Sequence, residues 1–73
     1  MSSIIYTKGL FKAEADVRLV GNGLYQGWVN LSRDDGEDPD DTVYEVDGTS
    51  ASELEAFEEA KALAHRILGE IEL

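Results

Sequence analysis

From Phe11 to Leu19 apolar and polar residues alternate without a break. Phe11, Ala13, Ala15, Val17 and Leu19 share one parity, while Lys12, Glu14, Asp16 and Arg18 fill the other. A period of two is that of a strand with one buried face, whereas a helix would scatter Phe11, Ala15 and Leu19 around its circumference. A strand is therefore predicted over 11–20. Gly21-Asn22-Gly23 follows and supplies the positive φ values of a tight hairpin, so a second strand is predicted over 24–33. The faces also fix a register. A three-residue loop sets Leu19 opposite Tyr25, Val17 opposite Gly27, Ala15 opposite Val29 and Ala13 opposite Leu31, which keeps one face apolar throughout. A two-residue Asn22-Gly23 loop would set Val17 opposite Trp28 and mix the faces, which a buried face forbids. The three-residue loop is the expectation.

Thr42-Val43-Tyr44-Glu45-Val46-Asp47 predicts a short third strand over 42–47, rich in β-branched and aromatic residues and closed by Gly48. The pattern then changes period. Leu54, Phe57, Ala60, Ala64, Ile67, Leu68 and Ile71 recur at spacings of three and four, the stripe of an amphipathic helix, predicted over 51–68. Ser50 with Glu53 and Ser52 with Glu55 both fit the capping box. Residues 4–7 are read as an extension of the first strand beyond a bend at Gly9. The predicted fold class is α+β: a three-stranded antiparallel meander with one C-terminal helix on one face, βββα. Leu54, Phe57, Ala60, Ala64 and Leu68 are expected to meet the odd-numbered face of the hairpin.

Length and composition change this picture little. The chain has 73 residues and no cysteine, so it is read as one small domain, 1–73, near the lower limit for an unaided core. The opening residues lack the basic-then-apolar layout of a signal peptide, and no run of about 18 apolar residues is present to span a membrane. The expected location is cytoplasmic.

Charge changes it more. Residues 1–33 carry four basic and two acidic side chains, net +2, and residues 34–73 carry two basic and fourteen acidic, net −12. Together these give the net −10 of the chain. Such a field repels polyanions and attracts cations and basic surfaces, so nucleic acid is disfavoured as a partner. Six of the acids lie in the loop expected over 34–41, where like charges, Gly36 and Pro39 oppose regular structure. Its carboxylates offer weak divalent-cation binding, but the EF-hand spacing fails: Leu31 or Val43 would take the first ligand position. The simpler reading is a solvated loop.

No catalytic constellation emerges, and no cofactor is implied. His65, the one histidine, has no nucleophile set beside it by spacing, and is best read as a partner of the helix dipole. Ser50 and Ser52 serve better as caps than as nucleophiles. Gly21-Asn22-Gly23 joins two strands, so it presents no helix N-terminus to phosphate. The residue that stands out is Trp28. The preferred register points it away from the helix, opposite Asp16, with Val20, Leu24, Arg18 and Lys12 on the same face. One helix covers only one side of a sheet, so this face is expected to be exposed, as the core and rim of an interface. The competing reading has Tyr6 and the N-terminal residues folded over Trp28.

The order of hairpin, acidic loop, short strand and Ser-capped helix resembles the HicB-like antitoxin domain and, more loosely, βββα folds of the double-stranded-RNA-binding type. Leu24–Leu31, Val43–Asp47 and the run from Thr49 to Ala56 carry the resemblance. Where HicB-like domains usually show a Pro-Gly-Cys-like stretch in the third strand, this chain has Tyr44-Glu45-Val46-Asp47-Gly48, and no functional residue is carried over. The expected function is that of a small, acidic, non-enzymatic interaction module that binds a protein partner or itself as a weak homo-oligomer. The alternative is an antitoxin-like or nucleic-acid-mimicking protein that neutralises a basic protein surface.

Overall fold

The computed structural model describes residues 3–33 and 40–71, Asp40 through its backbone alone. Its elements are β1 (Ile4–Lys8), β2 (Phe11–Gly21), β3 (Leu24–Arg33), β4 (Asp40–Glu45) and α1 (Glu53–Glu70). The strands form one antiparallel sheet in the order β1-β2-β3-β4, and α1 packs on one face. The class is α+β as expected, but with four strands rather than three. Gly9 is the reason for the difference. At φ 59° it does not bend the first strand; with Leu10 it reverses the chain, so Ile4–Lys8 returns antiparallel to β2 with Lys8 opposite Phe11. The strand expected at 42–47 begins earlier, at Asp40, because Asp40 and Asp41 pair with Arg33 and Ser32. Most of the acidic loop, residues 34–39, lies outside the described residues, and with it most of the cation-binding expectation.

The β2–β3 register is the predicted one from Phe11–Arg33 to Leu19–Tyr25. The turn itself differs. Gly21 pairs with Leu24, so the loop is the two-residue Asn22-Gly23, both residues with positive φ (53° and 71°), a type I′ turn. A bulge between Leu19 and Gly21 absorbs one residue. The bulge keeps the apolar parity intact although the loop is short.

The core is built from small side chains. Ala13, Ala15 and Val29 of the sheet and Ala56, Ala60, Ala64 and Leu68 of α1 are buried, and Val29 is the largest side chain that is fully enclosed. Tyr6, Phe11, Leu31, Leu63, Ile67 and Ile71 pack around this cluster. The buried stripe runs through positions 56, 60, 64 and 68; Ala60, Ala64 and Leu68 meet the sheet as expected, whereas Leu54 is 63% exposed and Phe57 half-buried, with Ala56 taking their place. Gly27 explains why alanine rather than a larger residue fills this end of the stripe. A Cβ there would lie 2.5 Å from the Ala56 carbonyl oxygen and 2.9 Å from Ala60 Cβ, so the missing side chain lets the helix backbone rest directly on β3.

Both ends of α1 are tied to the sheet. Ser52 is the N-cap, its hydroxyl accepting from the Glu55 N–H at 3.2 Å. Ser50 has a different role from the expected cap. It is buried, exchanges backbone hydrogen bonds with Tyr25 at 2.6 and 2.8 Å, and accepts the Ser52 N–H on its hydroxyl at 3.1 Å. At the other end α1 has no basic residue in its last turn. The cation comes from β1: the Lys8 ammonium donates to the carbonyls of Leu68 (2.8 Å) and Ile71 (2.9 Å), satisfying acceptors that a helix end leaves open.

Candidate interaction surface

α1 lies over β2, β3 and, less extensively, β1. Among the described residues, no element lies on the opposite face of the sheet. Alternation places Ile5 and Thr7 of β1, Lys12, Glu14, Asp16 and Arg18 of β2, Leu24, Gln26, Trp28, Asn30 and Ser32 of β3, and Asp41, Val43 and Glu45 of β4 on this open face. Trp28 stands at its centre, between Asp16 on one side and Glu45 on the other. Tyr6 does not cover it. Tyr6 pairs with Ala13, faces the helix, and sets its ring 4.3 Å from the imidazole of His65, so the histidine packs on an aromatic ring of β1 instead of serving the helix end.

The residues singled out from the sequence separate into two groups. Trp28 and Leu24 are half-buried on the open face, and Arg18 and Lys12 are exposed there. Val20 lies in the bulge at the hairpin end, 43% exposed. Arg18 reaches across β3 to the Glu45 carboxylate, so an ion pair spans the sheet between the Gln26 and Trp28 positions. Both of its ends are about half exposed (55% and 50% of the side chain), so the pair contributes little to stability. The exposed apolar residues of this face, Ile5 at 56% and Val43 at 62%, flank the centre on the two outer strands.

One feature of this face had no signal in the sequence. The Asn30 side-chain oxygen is buried without a hydrogen-bond partner, the single such side-chain atom among the described residues. It sits in the row formed by Glu14, Asn30 and Val43. An unsatisfied buried acceptor costs on the order of 1–3 kcal/mol, so Asn30 is a local cost within the sheet rather than an exposed contact point.

Beside the open face runs a second surface feature. α1 makes little contact with β4, which leaves an open groove of about 450 Å³ between the end of β4 and the middle of the helix, lined by Glu45, Val46, Asp47, Glu59, Leu63 and Arg66 among others. Among the described residues, no group of three or more histidine or carboxylate side chains gathers as a metal site would require. No described helix is long and apolar enough to cross a membrane. Comparison with protein-family models, with curated proteins and with solved structures gives no match, so the site is read from its own residues.

Proposed function

We propose that this protein is a non-enzymatic interaction module whose open sheet face binds a protein partner or a second copy of itself. The observation that carries this reading is the half-buried Trp28 at the centre of an uncovered sheet face, with Ile5 and Val43 exposed on its flanks. An aromatic centre with a polar rim is the arrangement in which binding energy concentrates. The small alanine-rich core supports the reading too, since a domain of this size gains most from the additional burial that association brings.

Substitution of Trp28 by alanine tests the reading. With the far-UV circular dichroism unchanged, sedimentation and co-purification from the native host should show the complex weakened by about 30-fold or more, the scale of a hot-spot residue. Undiminished association by the folded variant would remove the face from consideration.

A second reading, neutralisation of a basic protein surface, is favoured by the acidic excess of residues 34–73 and by the exposed Glu55, Glu58 and Glu59 of α1. It predicts binding that falls steeply with added salt, and salt-insensitive binding would count against it.

A further inference from the structure

We propose that the free edge of β4 accepts an extended, basic segment of a partner protein as a fifth strand. The backbone supports this before any side chain is considered. The Val46 N–H donates to the Gly27 carbonyl at 3.0 Å, continuing the β3–β4 register, in which Glu45 faces Trp28. In an antiparallel ladder bonded and non-bonded pairs alternate, so Tyr44–Val29 and Thr42–Leu31 are the bonded pairs. The N–H and C=O groups of Asp41, Val43 and Glu45 therefore point out of the sheet. Strand order makes β4 an edge, and a row of outward donors and acceptors is a template for another strand.

The two edges of the sheet are not equivalent. β1 lies against the end of α1, with Lys8 bound to the last helical carbonyls. Among the described residues no helix covers β4, and β4 itself contains no lysine or proline to blunt it. Tyr44, on the helix side, is 39% exposed because α1 stops short of it, and the groove between β4 and α1 lies beneath the place a fifth strand would occupy. Val46 and Leu63 line that groove and suit apolar side chains. Across the strand, Asp41 and Glu45 are exposed on the open face, Glu45 already paired with Arg18, and Asp47 and Glu59 rim the groove against the single cation Arg66. The complement is a strand with Lys or Arg on one face and apolar residues on the other.

Charge also decides between this occupant and a second copy. Two β4 strands paired about Val43 would set Asp41 opposite Glu45 twice, and like charges directly opposite are destabilising. Each chain also brings a net charge of −10 to such a pair. The inference uses a different surface from the Trp28 reading and extends the charge reading, on which its basic partner rests, by fixing the edge and the strand conformation of that partner.

A short peptide alternating lysine and valine is the probe, compared with a scrambled peptide of the same composition. The alternating peptide should bind the full chain and slow amide exchange at Asp41, Val43 and Glu45. Val43→Pro removes an outward N–H while leaving the bonded pairs, so Thr42 and Tyr44 amides should stay protected and report an intact strand. In that variant affinity for the peptide should fall about tenfold or more, the scale of one or two lost ladder hydrogen bonds. N-methylation of the peptide amides that face β4 gives the same loss without altering the protein. Equal binding of the alternating and scrambled peptides would overturn the edge while sparing the charge reading, and binding of neither would defeat both. A dimer of the unliganded chain abolished by Val43→Pro would show the occupant to be a second copy and would also overturn the proposal.

Discussion

At the scale of single residues, two glycines have opposite meanings. Gly27 is the contact point between β3 and α1, and the alanine Cβ has no room between the Ala56 carbonyl and Ala60. Gly69 lies inside α1 with open space where its side chain would be. Gly27→Ala should therefore destabilise the fold by about 2–3 kcal/mol through overpacking. Gly69→Ala should stabilise it by about 0.5–1 kcal/mol, the difference in helix propensity. Thermal or urea unfolding of the two variants checks both, and a Gly27→Ala variant no less stable than the parent chain would contradict the packing at Gly27. The sequence pattern revealed Gly27 only as a neutral partner for Val17, since a parity argument sees which face a residue is on and not how near the next layer comes. The register of the hairpin was readable for the converse reason. Apolar parity constrains it from both strands, and it holds even though a bulge beside Val20 and a two-residue turn replace the expected three-residue loop.

At the scale of elements, α1 was legible in position and in its Ser52 cap, because the change of period and the Ser-x-x-Glu spacing are local signals. Its face was legible in part. Ala60, Ala64 and Leu68 face the sheet as expected, but Leu54 and Phe57 give way to Ala56, because only small side chains permit the approach at Gly27. β1 was the element missed, since Gly9 is equally compatible with a bend and with a reversal, and its positive φ is visible only in the structure. With β1 went the role of Lys8. Lys8→Met keeps the aliphatic stem and removes the donors to Leu68 and Ile71. The expected loss is about 1–2 kcal/mol, with faster amide exchange confined to the last turn of α1. An unchanged unfolding midpoint and unchanged exchange would show that β1 does not hold the helix end.

At the scale of the molecule, the sheet has one committed face and one available face. The parity of β2 and β3 made that division readable, and it placed Trp28, Leu24, Arg18 and Lys12 on the side away from the helix. The division of charge at Arg33 was equally plain, although its meaning changed once Asp40 and Asp41 were placed in a strand. Some of that acid belongs to an edge that pairs with backbone, and its sign selects what can pair there. What the chain could not disclose is the buried Asn30 oxygen, whose isolation depends on side chains from three strands meeting in one row.

The central claim is that contact is made through the open face, and site-specific photo-cross-linking in the native host tests it most directly. A photoreactive side chain replacing Ser32 lies on the open face in β3, and the same group replacing Leu54 lies on the exposed side of α1. The account predicts discrete adducts, to a partner protein or to a second copy, from position 32 and none from position 54. Adducts from position 54 with none from position 32 would contradict it.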